Sequence, residues 1–486
     1  MFPWKSTIRI ESDSNRPKYL QISDRMIREI SIGRLQPAQK IPGSRKMAEL
    51  LQLNRKTIIQ AYDELTAQGW LEIRSSSGTY IAHNLPIRKS IPLTATPVIT
   101  VPYPTDLPEQ YPFIESYSAL PEGALQVDGG SPDHRIAPID WIFKECRSIA
   151  KSRSGGKLLT YSDVRGDMVL RKTLAHYLSE SKGMSVSKEN LLITRGSQMG
   201  IFLAIKGLIE QGDTVVVGST SYDAADWAIQ YHGGQLQRIT VDGEGLDTEE
   251  LALQCEKSNV KLVYVTPHHH FPTTVTLSNA RRIHLLELAV KYNFIILEDD
   301  YDYDFHYHSS PLLPLASLNH GGRVVYIGSF SKIFAPNIRV GYLVGTPEMV
   351  EGFSKIRRII DRQGDHIMER VMSEAIHTGE LNRHLKKSVQ IYRQRRDQLA
   401  FLLSSVLSNT VSFKIPEGGM AIWTTFKSTP LHQLNPYINQ LGVYPDIDKL
   451  FSKKYNALRI GFASLNENEL TRTVDAFSTA LKQMNT

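Results

Sequence analysis

Cysteine is scarce in this sequence, with only Cys146 and Cys255 among 486 residues. Two distant cysteines do not make a disulfide scaffold, and we predict two reduced thiols. Long apolar runs are also missing, because no stretch approaches the roughly 20 apolar residues that a membrane-spanning helix needs. The first twenty residues lack both an apolar core and a small-residue cleavage site, so they do not resemble a secretory signal. We therefore expect a cytoplasmic protein with no membrane partner.

Positive charge is concentrated in one part of the chain. Residues 1–90 contain 15 Lys or Arg and 8 Asp or Glu, a net charge of +7, whereas the other 396 residues contain 41 and 42, a net charge of −1. The two values sum to the +6 of the whole chain. A compact basic module on a near-neutral body suits a protein that binds the phosphate backbone of nucleic acid. A solvated basic face without a partner is the alternative.

Three helical patterns and a hairpin occupy the basic region. Apolar residues recur at helical spacing over 18–33, and Ser44 and Asn54 are suitable N-caps for two shorter helices that follow them. The segment 70–82 reads as two short β-runs around a Ser/Gly turn. This order predicts a winged helix-turn-helix domain over 12–83.

The third helix is the predicted recognition helix. Its apolar residues Ile58, Tyr62 and Leu65 face the core at i, i+4 and i+7, which leaves the polar face of its first two turns for the major groove. Arg and Lys can bond guanine edges, and Gln can bond adenine. The residues predicted to contact DNA from this helix, the helix before it and the wing are Arg45, Arg55, Lys56, Thr57, Gln60, Gly78 and Thr79. A vestigial domain is the alternative.

A change of composition separates this module from the rest of the chain. Eight prolines in residues 84–122 predict a linker. From 123 to 486, apolar strand-like runs alternate with helical patterns, which predicts an α/β domain with a mostly parallel sheet covered on both faces. Helical patterns from about 347 onward, followed by a last α/β stretch, predict a smaller C-terminal subdomain.

A lysine stands in a serine-rich turn directly after an apolar strand of this domain. Lys332 lies between Ser329, Ser331 and the following Arg339 in the segment GSFSKIFAPNIRVGYLV. A lysine amine near an arginine suits a Schiff base beside a bound phosphate. Nearby positive charge and partial desolvation would lower the pKa of this lysine and favour the free amine. An exposed loop lysine is the alternative.

An upstream strand, in the segment FIILEDDYDYDF, ends in carboxylates. Asp299 is predicted to pair with the protonated pyridine nitrogen of pyridoxal phosphate (PLP), which keeps the ring an electron sink. Tyr301 faces the same side of an extended segment and is assigned to the phenolic oxygen of the cofactor. The competing interpretation is an acidic turn at Asp300, Asp302 and Asp304 that is solvated or binds a metal.

Two further segments bear on this site. Gly196, Ser197 and Gln198 lie at a strand-to-helix junction, where free backbone N–H groups and the helix dipole favour an anion. The run 268–270 consists of three histidines, but neighbours in an extended segment point to alternate sides and cannot all meet one ion. We therefore predict no metal site.

In combination, these motifs resemble the fold-type I PLP-dependent aminotransferases over about 125–486. With the P-x-S-R and N-R-K-T segments near the N-terminus, the whole chain resembles the MocR/GabR-type regulators, in which a GntR-like winged helix is fused to an aminotransferase-like domain. The resemblance implies that Tyr222 stacks on the PLP ring and that His269 lies near the cofactor. It also implies that Tyr161 reaches the phosphate of a neighbouring subunit and that Arg459 binds a ligand carboxylate. The sequence departs from the family pattern at Thr274, where glycine is usual.

The resemblance implies a PLP-dependent transcription regulator that binds double-stranded DNA. It would sense a small amino compound, or PLP itself, through an aldimine at Lys332. A head-to-tail homodimer is expected, with two winged helices on paired half-sites of an operator. Two rivals stay open: a catalytically active aminotransferase with an appended DNA-binding module, and a DNA-binding protein whose large domain is an empty scaffold.

Overall fold

The protein is described by a computed structural model that covers residues 2–11, 14, 16–74, 77–86, 120–307, 312–447 and 450–484. The chain divides into two compact units, 2–86 and 120–484 within these ranges, and each is described by itself. The predicted linker over 84–122 falls mainly on 87–119, which lies outside the described residues, and it stays a prediction.

The smaller unit contains four helices and a three-stranded sheet. Its elements are α1 (Trp4–Thr7), α2 (Lys18–Ser31), β1 (Lys40–Ile41), α3 (Ser44–Leu51), α4 (Arg55–Ala67), β2 (Leu71–Arg74) and β3 (Gly78–Ile81). The strand order is β1-β3-β2, with antiparallel pairing throughout. Asn54 caps α4 as predicted, because its side chain accepts a hydrogen bond from the Lys56 backbone N–H at 2.8 Å. Gly43, rather than the predicted Ser44, is the N-cap of α3. The winged helix-turn-helix prediction is confirmed.

The packed core of this unit begins before the predicted boundary at residue 12. Trp4 and Ile8 are 6% and 3% exposed and belong to the same apolar cluster as Met26, Met47 and Ile58. The sequence prediction omitted this segment because α1 is a single turn, too short to show helical periodicity.

The larger unit begins with a short strand and alternates helices with strands. Its first part comprises β4 (Leu125–Val127), α5 (Ile139–Lys151), α6 (Gly155–Leu158), α7 (Met168–Lys182), β5 (Leu191–Thr194), α8 (Ser197–Leu208), β6 (Thr214–Gly218), α9 (Asp223–Tyr231), β7 (Gln235–Ile239), β8 (Val241–Asp242), β9 (Gly245–Leu246), α10 (Thr248–Lys257), β10 (Val260–Val265), α11 (Asn279–Tyr292), β11 (Ile295–Asp300), β12 (Val324–Ser329) and β13 (Gly341–Val344). Its second part comprises α12 (Pro347–Ile360), α13 (His366–His377), α14 (Glu380–Val406), β14 (Val411–Phe413), β15 (Ala421–Phe426), α15 (Leu431–Gln440), β16 (Val443–Pro445), α16 (Leu450–Tyr455), β17 (Ala457–Gly461) and α17 (Glu467–Met484).

Seven strands form the central sheet, in the order β5-β13-β12-β11-β10-β6-β7. The pairs among β12, β11, β10, β6 and β7 are all parallel, and β13 is antiparallel to both of its neighbours. Apolar clusters cover both faces of this sheet, as near-continuous Val/Ile/Leu strands require. The predicted mostly parallel α/β domain is confirmed.

The smaller C-terminal subdomain begins later than the predicted residue 347. Phe353 on α12 packs in the cluster of the central sheet, and Val371 and Met372 on α13 pack in the cluster on its other side. A separate apolar cluster joins α14, α15, α17 and the antiparallel sheet β14-β15-β17, and it also includes Val127. The helical pattern alone could not show which core α12 and α13 would join.

Among the described residues, no helix combines the length and the apolar character needed to cross a membrane. Neither Cys146 nor Cys255 forms a disulfide.

Candidate functional site

One edge of the central sheet collects the predicted cofactor residues. The carboxyl ends of the parallel strands β11 and β12 meet there, with Asp299 as the penultimate residue of β11 and Lys332 three residues past the end of β12. Because β13 is antiparallel, its amino end lies at the same edge, and Gly341 pairs with both Thr194 and Ser329. Arg339 lies two residues before the first residue of this strand. The topology therefore brings Thr194 and Gly341, which are 147 positions apart in the chain, to the same edge.

Lys332 is a partly buried lysine whose amine lies in a pocket with about 430 Å³ of empty space. Its Nζ donates a hydrogen bond to the Gly130 carbonyl at 2.9 Å. Burial lowers the pKa of this amine, and the charge of Arg459 acts in the same direction. The sequence prediction of a lowered pKa is matched in direction, although the responsible cation is Arg459 and not Arg339. The uncharged amine is the nucleophilic form of lysine.

Asp299 lines the same pocket and has one oxygen without a hydrogen-bond partner among the described residues. Its Oδ2 accepts a hydrogen bond from the Tyr264 hydroxyl at 2.8 Å, whereas the buried Oδ1 has no donor. Burial raises the pKa of this carboxyl to about 7. An orphaned buried carboxylate oxygen is costly, and the protonated nitrogen of a pyridine ring would satisfy it.

A cradle for an anion adjoins the pocket at the start of α8. Gly196 has a φ of +77°, and a Cβ added to it would lie 3.0 Å from the guanidinium of Arg339. That guanidinium donates a hydrogen bond to the Arg195 carbonyl at 2.8 Å, and Ser197, the first residue of α8, lines the pocket. An arginine beside a helix N-terminus suits a phosphate.

The two serines that flank the lysine turn are both buried. The Ser329 Oγ accepts a hydrogen bond from the Ser331 backbone N–H at 3.2 Å. The Ser331 Oγ is buried with no hydrogen-bond partner among the described residues. The turn therefore offers hydroxyl donors to a phosphate, and Asp299 offers an acceptor to a protonated ring nitrogen, so the site fits PLP.

Tyr222 and Tyr301 both line the pocket. The stacking of Tyr222 on the PLP ring and the contact of Tyr301 with the phenolic oxygen stay predictions. The Tyr301 hydroxyl donates a hydrogen bond to the His269 carbonyl at 2.8 Å and accepts one from Arg459 at 3.1 Å. Burial raises the pKa of the Tyr301 hydroxyl, so this group stays protonated. Tyr222 packs edge-on against Phe271, with ring centroids 5.4 Å apart.

Arg459 is buried on β17 immediately beside the pocket. Besides Tyr301, its guanidinium donates to the Gly129 carbonyl at 2.5 Å and to the Pro272 carbonyl at 3.1 Å. A ligand carboxylate would have to replace some of these carbonyls. The assignment of Arg459 to a ligand carboxylate therefore stays a prediction.

His269 adjoins the pocket through its backbone, and its predicted place near the cofactor stays a prediction. The side chain of His269 does not line the pocket; its Nδ1 lies 2.7 Å from the Asp302 carboxylate, and only its carbonyl serves the site, through Tyr301. His268 faces Asp300 at 3.3 Å, and His270 faces Thr273. The three rings have three different neighbours.

The competing acidic-turn interpretation is wrong as far as solvation is concerned. Asp300 and Asp302 are 4% and 2% exposed. Asp300 pairs with the buried Lys182 at 3.3 Å, and Lys182 lies 3.9 Å from Asp304. No group of three or more acidic, histidine or cysteine side chains among the described residues is arranged to hold a metal ion.

Gln198 and Tyr161 are predicted cofactor residues that are exposed and do not line the pocket. Gln198 is exposed on the first turn of α8 and does not line the pocket. Tyr161 is 75% exposed, with the guanidinium of Arg362 4.0 Å above its ring. The contact of Tyr161 with a partner subunit stays a prediction.

Sequence reasoning missed several residues that build the pocket. Tyr264 on β10 holds Asp299, Gly130 accepts from Lys332, and Phe271 forms one wall with Thr266. Tyr264 is placed by the lateral pairing of β10 with β11, where it lies opposite Leu297. That pairing has no local sequence signal.

The predicted DNA-contacting residues of the helices are at the surface of the smaller unit. Arg45 on α3 and Arg55, Lys56 and Gln60 on α4 are exposed, and Thr57 is half-buried. Of the wing residues, Gly78 is exposed, with a φ of +120°. Thr79 is only 8% exposed, because alternation along β3 turns its side chain inward. The hydroxyl of Thr79 is therefore turned away from a DNA surface, and a contact of this residue through its backbone stays a prediction.

Comparisons with known proteins fit this geometry. Residues 130–477 match the family described as "Aminotransferase class I and II". The chain belongs to this family. Residues 18–81 match the family described as "Bacterial regulatory proteins, gntR family", which makes the smaller unit a DNA-binding domain of the GntR type. Both domains of the predicted MocR/GabR-type organisation are thereby confirmed.

Relatives of this aminotransferase-family chain include both enzymes and regulators. It is 28% identical to "Aromatic-amino-acid aminotransferase 1" of Thermococcus litoralis over 74% of this chain and 88% of that protein. It is 25% identical to the "Probable rhizopine catabolism regulatory protein MocR" of Rhizobium meliloti over 86% of this chain and 83% of that protein. Among solved structures, a kynurenine aminotransferase of Pyrococcus horikoshii matches with a TM-score of 0.68 and 28% identity, over 75% of this chain and 92% of that one. PLP is the cofactor that this family membership and the residues of the pocket both indicate.

Proposed function

We propose that this protein is a PLP-dependent transcription regulator that binds double-stranded DNA through its winged helix and senses a small amino compound, or PLP itself, at Lys332. The observation that carries the proposal is one pocket that holds the Lys332 amine and an orphaned Asp299 oxygen, with the Arg339 cradle beside it, in a chain with a GntR-type domain. A DNA-binding domain alone would not need such a pocket.

Different residues of the site would hold the cofactor and react with the amine. The cofactor, when bound, supplies an aldehyde with which either the Lys332 amine or an incoming amino compound can condense. The lowered pKa of Lys332 keeps its amine uncharged at lower pH than that of an ordinary lysine. We assign the proton of the ring nitrogen to Asp299, whose Oδ1 has no donor among the described residues, and the phosphate to Arg339, which lies beside Gly196.

Arg459 would select the ligand. Its guanidinium is fixed by carbonyl contacts and by Tyr301, so that it presents positive charge at the pocket. A carboxylate accepts two parallel N–H bonds from such a group. We therefore favour an amino compound with an acidic end, and we propose that its arrival shifts the equilibrium between two arrangements of the DNA-binding domains.

We also propose that the protein forms a homodimer. Tyr161 is exposed and carries the guanidinium of Arg362 over its ring, so it is available to a second subunit. A head-to-tail pair would let Tyr161 of each subunit approach the cofactor phosphate of the other, and two winged helices would then meet paired half-sites of an operator. Sedimentation of the full chain tests this: a monomer at micromolar concentration in the presence of PLP would contradict it.

The function is tested by operator binding with and without PLP and candidate amines, measured by fluorescence anisotropy. We expect the apparent affinity of the wild type to change when an acidic amino compound is added with PLP, and we expect Lys332→Ala to lose that response while still binding DNA. Lys261→Ala, an exposed lysine on β10, is the matched control. A response that persists in Lys332→Ala would contradict the proposal. Steady production of an oxo acid from an amino donor, abolished by the same substitution, would favour the active aminotransferase.

A further inference from the structure

The N-terminal segment of the smaller unit is fixed on the surface of the winged helix. Trp4 and Ile8 anchor it, since both are buried in the apolar core beneath α3. Phe2 packs against Trp4 with ring centroids 4.6 Å apart. An open groove lies between this segment, α3 and the start of β1, and its floor includes Trp4 and Leu50. The segment therefore has a defined face that the DNA-binding residues described above do not use.

The rim of this groove is cationic. Lys5 and Arg9 from the N-terminal segment, Lys40 from β1 and Lys46 from α3 all line it and are all exposed. No Asp or Glu of the described residues lines the groove. Lys46 pairs with Glu49 at 3.0 Å, but both side chains are more than half exposed, at 68% and 60%. Such a pair is worth little and would yield to a phosphate.

The groove is continuous with the predicted DNA surface. A Cβ on Gly78, at the tip of the wing, would lie 3.1 Å from the Cε of Lys40. The Nζ of Lys40 lies 5.7 Å from the ring centre of Tyr80 on the same hairpin. On the other side, Lys46 is the neighbour of Arg45 in the first turn of α3. Cations thus extend from the recognition surface past the wing to the N-terminal segment.

We propose that this groove, formed by residues 2–9 with Lys40 and Lys46, is a second contact surface for DNA that binds the sugar–phosphate backbone beside the half-site. A duplex backbone offers anionic phosphates to the rim and apolar deoxyribose faces to the floor, which matches the chemistry of both parts. Contacts of this kind position a protein on DNA and carry no base specificity. The inference rests on the proposed DNA-binding function and adds a surface to it.

The size of the effect follows from counterion release. Each phosphate contact steepens the dependence of log K on log salt by about 0.9, which corresponds to about fivefold in affinity at roughly 0.15 M salt. Lys5 and Arg9 form no ion pair with a carboxylate of the described residues, so both are available to phosphates. Removing both should flatten the salt slope by about 1.8 and weaken binding about 30-fold. The loss should be equal for the operator and for a duplex of random sequence.

The experiment compares full-length wild type with the double variant Lys5→Ala/Arg9→Ala, using labelled operator and random duplexes across a salt series. Both substitutions are at exposed side chains, and circular dichroism checks that the winged helix stays folded. The control is Lys261→Ala/Lys386→Ala, which removes the same charge from exposed positions of the larger unit. We expect the control to bind like the wild type.

Two failures are distinguishable. If the wild type binds DNA and the double variant keeps the same salt slope, the groove faces some other partner and the inference is overturned, while the proposed function stands. If the wild type itself shows no salt-dependent binding to any duplex, the proposed function fails. A loss confined to the operator, with random DNA unaffected, would also overturn the inference, because it would indicate base readout.

Discussion

The substitution Gly196→Ala tests whether the cradle at the start of α8 holds the cofactor phosphate. Gly196 has φ +77° and ψ 175°, a combination that only glycine adopts readily. An alanine there costs about 1–3 kcal/mol of unfolding free energy through backbone strain. Its methyl group would also lie 3.0 Å from three atoms of the Arg339 guanidinium, which must move by a few tenths of an ångström.

The displaced arginine should lower the affinity for PLP. A hydrogen bond to a charged group contributes about 1.5–3 kcal/mol, and each 1.4 kcal/mol is a factor of ten in a dissociation constant. We therefore expect Gly196→Ala to bind PLP about tenfold to a hundredfold more weakly than the wild type. The assay is a titration of the cofactor-free protein with PLP, followed by visible absorption, together with urea unfolding of the same preparations.

Gly212→Ala is the matched control. Gly212 also has a left-handed φ, +90°, but a Cβ there would meet nothing within 4 Å. It should show a comparable loss of unfolding free energy with unchanged PLP affinity. If Gly196→Ala bound PLP as tightly as Gly212→Ala, the assignment of this cradle to the phosphate would be refuted.

Three further substitutions test other parts of the account. Burial raises the pKa of Asp299 to about 7, so between about pH 4 and pH 7 the cofactor-free native state binds a proton there that the unfolded chain, with a pKa of about 3.9, has lost. The unfolding free energy should therefore fall as pH rises from about 4 to 7, by at most about 4 kcal/mol. Asp299→Asn should remove that fall in urea titrations at pH 5 and pH 8. Lys56→Ala should weaken operator binding and flatten its salt slope by about 0.9, and an unchanged slope would remove Lys56 from the phosphate contacts. Arg459→Lys keeps the positive charge but loses the guanidinium that binds a carboxylate through two N–H groups. It should lower the affinity for an effector with a carboxylate at least tenfold in a calorimetric titration, while PLP binds as before. An unchanged effector affinity would exclude Arg459 from the ligand contact.

The cofactor machinery was predictable where it is tied to strand ends. The strand that ends in Asp299 and the strand that precedes Lys332 are apolar runs whose last residues must emerge at one edge of a parallel sheet. The position of Arg339 at the same edge can also be inferred once β13 is known to run antiparallel, because the amino end of β13 then lies beside the carboxyl end of β12. These residues were identified from local patterns and from the resemblance that the patterns supported.

Side-chain direction was less predictable. The pattern around His269 showed an extended segment but not that its ring would pair with Asp302 while its carbonyl served Tyr301. Thr79 was placed on the wing from sequence, yet the pairing of β3 between β1 and β2 turns it inward. The His269 contact joins the segments that follow β10 and β11, and the place of β3 in the sheet decides which of its faces is inward, so neither direction can be read from one local segment.

The central claim is that the amine of Lys332 carries the cofactor, and one measurement tests it most directly. The full-length protein is incubated with PLP, reduced with borohydride, digested and examined by peptide mass spectrometry. The account predicts a single stable modification, on the peptide that contains Lys332, and none in Lys332→Ala. A modification on another lysine, or no modification in a wild-type protein that is folded, would contradict the account.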